Sequence, residues 1–307
     1  MQNKKIDFNK KEFSKKVFSI LIKNPNIFSA TIVGSFQNKK KFNIKSDIDL
    51  VVIFKKLNKK IYFDCIKNIE KININKYTNF KSSININHSF GPIKFYNKNK
   101  ITIHLMMYDL NEHYKHVMDS PFTCYDWERS NFFIGTRLKN IFPIKNLYYK
   151  DFLQSRRGVK NLISNLESNY IQIQKKLFKN GKTYHYNYRK KLTKVDKFEL
   201  SYSLINNSII NFYKFKYQKN QLPTKNEFKK LFLEITHSSK LYFQFIELKK
   251  IKVSQIFFIK DYILLTKQFL GFFEKYLDQL NYSNIIYMRH AKTKCNKSIF
   301  LGQNLDL

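Results

Sequence analysis

Short apolar and polar segments alternate through the first 110 residues of the chain, a pattern typical of mixed α/β structure. Residues 10–23 and 59–72 carry apolar side chains at helical spacing and predict two amphipathic helices. Four β-rich runs predict strands, at 28–33, 47–53, 93–96 and 101–108. We therefore predict a mixed α/β domain over residues 1–150.

From about residue 150 the apolar residues follow long helical periods. The first stripe consists of Phe152, Val159, Ile163, Leu166, Tyr170, Ile173 and Leu177. Three further segments share this period, at 196–217, 225–247 and 254–280. These patterns predict an all-α helical bundle domain over residues 151–283. The pattern then changes to a short strand at 285–288, which begins a third predicted segment, 284–307.

Two acids, Asp47 and Asp49, stand where the strand 47–53 begins. Because successive side chains of a strand point to opposite faces, both carboxylates project from one face, about 6–7 Å apart along the strand, and Ile48 points into the core. Two like charges at the rim of a hydrophobic sheet favour a bound cation. Mg²⁺ fits this chemistry, since it prefers oxygen ligands and bridges substrate phosphates.

The strand 28–33 ends at Gly34-Ser35, which is the second part of the predicted site. Glycine has no Cβ, so a phosphate can approach the backbone closely. Ser35 adds a hydroxyl and a main-chain N–H for phosphate oxygens. The alternative interpretation is a plain surface turn followed by a strand with capping acids.

Val33-Gly34-Ser35, eleven intervening residues and then Asp47-Ile48-Asp49-Leu50, with Ser46 before the first acid, resemble the signature of the DNA polymerase β type nucleotidyltransferases. The resemblance implies a nucleotidyltransferase palm and a metal-bound nucleoside triphosphate. An acceptor attacks its α-phosphate and pyrophosphate leaves. It also implies that Asp47 and Asp49 hold the metal, while Gly34 and Ser35, with Ser46, bind the nucleotide.

Members of that superfamily place a third carboxylate on a later strand. The matching strand here, residues 100–105, has Thr102 and His104 at its inward positions. His104 is a candidate base near neutral pH, and Asp109 and Glu112 are later alternatives for the acid. The missing carboxylate leaves a second interpretation open, a degenerate nucleotide-binding sensor. The pair His113 and His116 has metal-ligand spacing, but we favour a solvated helix face for it.

Residues 284–307 resemble the opening of the histidine phosphatase superfamily. The resemblance rests on a strand followed by Arg289-His290-Ala291-Lys292-Thr293, then Asn296 and a Gly-Gln-x-x-Asp run. It implies that His290 takes a phosphoryl group and that Arg289, Thr293 and Asn296 bind phosphate. Later catalytic groups of that family do not follow, so we expect an incomplete start of such a domain, without phosphatase activity in the chain as given. The pairing favours a small, phosphorylated acceptor for the transferase.

The formal charge of +35 raises the question of nucleic-acid binding. Only six of the 57 basic residues are Arg, and the Lys residues are spread along the whole chain. This distribution favours a solvated Lys surface, so nucleic-acid binding stays the less favoured alternative.

Three separated cysteines form no CxxC pair, and no uncharged run approaches the roughly 18 residues of a membrane span. We expect a cytoplasmic protein with no membrane partner. The sequence does not indicate an oligomeric state.

Overall fold

The computed structural model describes residues 5–37, 42–43, 47–90, 100–254 and 261–280. The chain divides into two compact units. Unit 1 takes its described residues from 1–119, 123–143 and 168–196, and unit 2 takes them from 120–122, 144–167 and 197–307. The domain boundaries at residues 150 and 283 stay predictions.

A five-stranded mixed sheet forms the centre of unit 1, in the spatial order β5-β6-β4-β2-β7. Its strands are β2 (Ile27–Val33), β4 (Ile48–Phe54), β5 (Ser83–Asn87), β6 (Lys100–Asp109) and β7 (Phe133–Gly135). β4 runs parallel to β6 and antiparallel to β2. A separate pair joins β1 (Lys5–Ile6) to β3 (Phe42–Asn43). Mixed α/β structure in this part of the chain is thus confirmed, and the strand candidate at 93–96 lies outside the described residues.

Two amphipathic helices pack against this sheet, as the sequence predicts. They are α1 (Lys10–Leu21) and α2 (Lys59–Glu70), and the Asn9 and Asn58 side chains cap their N-termini. One core cluster joins the helix residues Phe13 and Ile69 to Leu50 of β4. Because β4 is buried along almost its whole length, its apolar run is continuous rather than alternating.

Beyond β6, the chain forms α3 (Leu110–Asp119), α4 (Pro121–Trp127) and α5 (Leu138–Ile141). His113 is buried, and the His116 ring stacks on Tyr108 and Trp127, each at a centroid distance of 5.1 Å. The predicted solvated face for this histidine pair is therefore wrong. The α3 face that carries these rings packs into an aromatic cluster.

The predicted all-α region is interrupted by a hairpin that belongs to unit 1. Helix α6 spans Tyr149–Ser168, and then β8 (Tyr170–Lys179) pairs with β9 (Lys182–Lys191). The helical stripe through Tyr170, Ile173 and Leu177 was wrong because burial follows a period of two there, with Ile171 and Ile173 both buried. The turn residues Asn180 and Gly181 have φ of 51° and 70°, as the tight hairpin turn of an Asn-Gly pair requires.

Unit 2 is helical, as expected for the C-terminal part of the chain. Its long helices are α7 (Lys194–Tyr217, in unit 2 from Lys197), α8 (Lys225–Thr236), α9 (Ser239–Ser254) and α10 (Tyr262–Gln279). The predicted segment 225–247 is divided at His237, whose left-handed backbone (φ 49°) ends α8. Phe212, Phe232 and Phe269 are fully buried in this unit. In the part of the chain that the structure describes, no helix is long and apolar enough to cross a membrane.

Candidate active site

Asp47 and Asp49 lie at the start of the central strand β4, and His104 joins them from β6. Asp49 and His104 are register partners in the parallel β4–β6 pair. One ligand atom from each of the three residues lies within 4.8 Å of the other two. Asp47 is 5% exposed, and Ile48 points into the core at 1% exposure. The strand alternation predicted from the sequence is confirmed for Ile48, and the three polar side chains share one small region.

Both ring nitrogens of His104 face hydrogen-bond acceptors. Nδ1 lies 3.1 Å from Asp49 Oδ1, and Nε2 lies 3.0 Å from the backbone oxygen of Ser89. A carbonyl oxygen only accepts, so Nε2 carries a proton. Burial lowers the pKa of His104, but the hydrogen bond to Asp49, the charges of Asp49 and Asp47 and the Ser89 carbonyl outweigh it, and the pKa lies above its ordinary value. Acceptors at both nitrogens thus stabilise the protonated ring relative to the neutral one.

Ser89 owes its position to Asn87 at the end of β5. The Asn87 side-chain oxygen accepts hydrogen bonds from the Ser89 N–H at 3.1 Å and from the Ser89 hydroxyl at 2.6 Å. Asn87 is also the register partner of His104 in the β5–β6 pair. No sequence signal indicates this support, because it depends on which strands become neighbours in the sheet.

Gly34 begins a short 3₁₀ helix, Gly34–Gln37, directly after β2. Its φ is +73°, which side chains with a Cβ rarely adopt, and a Cβ there would collide with Asp49 Oδ2. Val33 and Asp49 are register partners, so the β2–β4 pairing brings the turn to the acids. Ser35 is exposed at this turn. The nucleotide-binding roles of Gly34 and Ser35 stay predictions.

The turn after Gly34 is held by residues that sequence reasoning missed. Phe36 is buried, and its ring contacts Phe8, Phe13 and Phe42. Lys10, the first residue of α1, donates from Nζ to the Phe36 backbone oxygen at 2.7 Å. Burial lowers the pKa of Lys10. A lysine at the start of a helix in a lysine-rich chain carries no signal that would single it out.

Thr102 occupies the position at which the third carboxylate was expected. It is buried on β6, two residues before His104, and its hydroxyl lies 3.4 Å from the Asn85 amide nitrogen. The later alternatives lie elsewhere. Asp109 pairs in register with Phe54, at the other end of β4 from Asp49, and Asp109 and Glu112 exchange hydrogen bonds that cap α3. The structure does not bring either acid to the Asp47–Asp49 cluster.

Five predicted site residues lie outside the described residues. They are Ser46 and the four residues of the phosphatase-like motif, Arg289, His290, Thr293 and Asn296.

Comparisons with known proteins address the nucleotidyltransferase part of the sequence prediction. Residues 15–103 match the family described as Polymerase beta, Nucleotidyltransferase. This segment includes Gly34, Ser35, Asp47 and Asp49 and ends one residue before His104. The match supports a nucleotidyltransferase-like domain in this part of the chain, and no comparison supports the phosphatase-like segment.

No curated protein matches the chain. Among solved structures, the chain is similar to spectinomycin adenyltransferase AAD(9) from Enterococcus faecialis, determined with ATP and spectinomycin. The identity is 12% and the TM-score 0.47, over 87% of this chain and 98% of that chain.

Proposed function

We propose that the protein is a Mg²⁺-dependent nucleotidyltransferase that moves a nucleoside monophosphate from a nucleoside triphosphate to a small acceptor and releases pyrophosphate. The observation that carries the proposal is the convergence of Asp47, Asp49 and His104 beside the left-handed turn at Gly34. The small, phosphorylated acceptor is inferred from the phosphatase-like motif at 284–307. That motif also predicts phosphate-binding roles for four residues, Arg289, His290, Thr293 and Asn296.

The donor set fits a hard divalent cation. Asp47 and Asp49 offer carboxylate oxygens on one face of β4, and a carboxylate as buried as Asp47 is stabilised by a nearby positive charge. These two residues would hold the metal. A metal bound there neutralises charge on the transferred phosphoryl group and on the pyrophosphate leaving group.

The turn after β2 supplies the phosphate contacts in this proposal. The missing Cβ at Gly34 lets the Asp49 carboxylate approach the backbone of the turn closely. The exposed Ser35 offers a hydroxyl and an N–H beside it. We assign Gly34 and Ser35, with Ser46, to the triphosphate. Phe36 and Lys10 hold the turn in this conformation from the core side.

We assign His104 as a positioning residue rather than the general base. A base needs a lone pair aimed at the acceptor proton, whereas both His104 nitrogens are directed at Asp49 and Ser89. The hydrogen bond between the His104 ring and Asp49 holds the orientation of the carboxylate. In this assignment the acceptor proton leaves to another group or to solvent.

A nucleotide sensor without catalytic turnover is the second candidate function. It is favoured by Thr102, a hydroxyl side chain that cannot accept a proton near neutral pH, at the position expected for the third acid. Both functions require nucleotide binding at Asp47 and Asp49, but they differ in turnover.

Transfer of label from each α-labelled nucleoside triphosphate tests the proposal. The full chain is incubated with Mg²⁺ and a panel of hydroxyl and phosphorylated acceptors, and pyrophosphate release and acceptor labelling are followed. We expect both with the wild-type protein, loss of both in Asp47→Asn, and retention in the control Asp64→Asn, which changes an exposed acid of α2. Binding without turnover would favour the sensor, and absence of nucleotide binding would contradict both functions.

A further inference from the structure

The hairpin β8–β9 presents a regular row of tyrosines. Tyr184, Tyr186 and Tyr188 alternate along β9, so they share one face of the hairpin. Tyr184 and Tyr186 are 48% and 54% exposed. The rings of Tyr186 and Tyr188 are nearly parallel, with an angle of 12° between their planes and 6.4 Å between their centres. Their faces are thus turned in a common direction.

The same face carries positive charge. Lys175 is the cross-strand partner of Tyr186, and its Nζ lies 5.2 Å from the centre of the Tyr188 ring. The hairpin sequence 170–191 contains seven Lys or Arg residues and no Asp or Glu. We call Lys175, Tyr184, Tyr186 and Tyr188 the tyrosine face. This face combines aromatic rings with positive charge, and the hairpin that carries it contains no acidic residue.

The hairpin is fixed to unit 1 along the β8 edge and through its opposite face. Ile171 and Ile173, which lie on the tyrosine face by register, are also buried, so the exposed part of that face is the part around Tyr184 and Tyr186. Phe90 and Gln174 exchange two backbone hydrogen bonds, of 2.8 and 3.0 Å. The fully buried Lys176 pairs with Glu112, and Phe178 packs against the core cluster. Because the strand edge and the opposite face hold these anchors, the exposed tyrosines Tyr184 and Tyr186 are presented on a fixed support, and little ordering is needed on binding.

We propose that the tyrosine face binds single-stranded RNA, by stacking unpaired bases on the tyrosines and holding the backbone phosphates with lysine. Exposed aromatic rings interleaved with basic residues are the means by which proteins bind single strands without reading sequence. RNA is the chosen partner because its loops and ends expose unpaired bases, whereas the bases of duplex DNA are stacked inside. The proposal is independent of the nucleotidyltransferase function, since no residue of the tyrosine face belongs to that site.

Charge alone is not the argument, because a chain of net charge +35 attracts any polyanion. The row of exposed tyrosine rings distinguishes this proposal from general polyanion binding, because the rings can stack on bases but gain nothing from a polyanion that has none. The test therefore compares ligands that share charge but differ in the availability of bases.

Fluorescence anisotropy of the full chain, without triphosphate or metal, measures this directly. The probes are a labelled 12-nucleotide single-stranded RNA, a DNA strand of the same sequence, an RNA duplex and heparin. The variants are Tyr184→Ala, Tyr186→Ala and their double variant, with Tyr217→Ala as the matched control. Tyr217 is 45% exposed and lies in unit 2. Thermal melting of each variant verifies that it is folded.

We expect the double variant to bind single-stranded RNA roughly tenfold or more weakly, with an unchanged slope of log affinity against log salt concentration. A further variant, Lys175→Gln, should reduce the magnitude of this slope by about one. Heparin affinity and Tyr217→Ala should match the wild-type protein. Wild-type RNA affinity in the double variant, an equal loss of heparin affinity, or tighter binding of the DNA strand would overturn the proposal. A dimer that dissociates in the double variant would also overturn it, by assigning the face to a second copy of the chain.

Discussion

At the residue scale, Gly34 and Gly181 share a left-handed backbone conformation, so substituting each of them distinguishes the cost of backbone strain from an effect on the site. Gly34 and Gly181 have φ of +73° and +70°, but only at Gly34 would a Cβ meet Asp49, and at Gly181 nothing lies within 4 Å. We expect Gly181→Ala to lower the free energy of unfolding by about 1–2 kcal/mol, from the left-handed backbone alone. Gly34→Ala should cost more and should also weaken triphosphate binding.

Denaturant unfolding and nucleotide titration of both variants test this expectation. Equal stability losses with unchanged nucleotide affinity in Gly34→Ala would mean that the turn is an ordinary surface turn.

The two acids should respond differently to the same substitution. Asp47→Asn removes a charge next to Asp49 while keeping the size of the side chain, but it also removes a charge that favours protonation of His104, so we expect a smaller loss of stability in the metal-free protein than for Asp49→Asn. Asp49→Asn also replaces the charged partner of His104, and we expect a loss of about 1.5 kcal/mol or more. Thermal or denaturant unfolding without metal decides this, and a larger loss for Asp47→Asn would contradict the assigned pairing.

At this scale the sequence predicted the residues whose position follows from one strand or one turn. Asp47, Asp49 and Gly34 are of this kind, since alternation in β4 and the end of β2 place them. Ser89 and Lys10 could not be predicted, because their contacts cross between elements that are distant in sequence.

At the scale of elements, helix α3 carries two histidines that are held neutral. Burial, with a smaller effect from His116, lowers the pKa of His113 to about 3, and burial lowers the pKa of His116 to about 4. The unfolded chain binds protons at these residues below about pH 6.5, while the folded chain does not. Stability should therefore fall as the pH decreases from 6.5 towards 4, by roughly 1.4 kcal/mol per pH unit for each histidine.

Unfolding free energies over this pH range measure the effect. His116→Phe keeps an aromatic ring that can stack on Tyr108 and Trp127 but does not titrate. The dependence of the unfolding free energy on pH should therefore become shallower by the contribution of one histidine. His237→Asn is the control, since His237 is exposed and asparagine suits its left-handed backbone. A slope that is unchanged in His116→Phe would refute the buried, neutral state.

The Lys176–Glu112 ion pair should be the main polar anchor of the hairpin. The Lys176 side chain is 0% exposed and that of Glu112 is 19% exposed. Removing one partner of a buried pair costs about 3–5 kcal/mol, because the other charge stays buried. We expect Glu112→Gln, which leaves the fully buried Lys176 ammonium without its counter-charge, to be more destabilising than Lys176→Met, which leaves a partly hydrated carboxylate.

The exposed pair Lys15–Glu12 offers the control, with an expected effect below about 1 kcal/mol for Glu12→Gln. Denaturant unfolding of the three variants gives the comparison. If Lys176→Met proved the more destabilising, the carboxylate rather than the ammonium would be the poorly solvated partner.

The prediction of secondary structure failed in β8, where the apolar residues fit both a helical and a strand period. Ile173 and Leu177 are four residues apart, which is helical spacing, but Ile171 and Ile173 are two apart, and burial follows the shorter period. The Asn180-Gly181 pair was the local signal for a hairpin. The bounds of α1, α2, β2, β4 and β6 were predicted to within a few residues because their apolar patterns fit one period only.

At the scale of the whole molecule, the net charge of +35 bears on every binding measurement. A triphosphate is drawn to such a surface whether or not a site exists, and this background weakens as salt rises. Specific binding is recognised by its dependence on Mg²⁺ and on individual acids. Neither dependence arises from a diffuse lysine surface.

The most direct test is therefore calorimetric titration of each nucleoside triphosphate into the full chain, at moderate salt, with Mg²⁺ and with a chelator. The wild-type protein and Asp64→Asn should bind one or more triphosphates only with Mg²⁺. Asp47→Asn should bind at least about tenfold more weakly, since a charged metal ligand is lost. Binding that is equal with the chelator, or equal in Asp47→Asn, would contradict a metal-nucleotide site at Asp47 and Asp49.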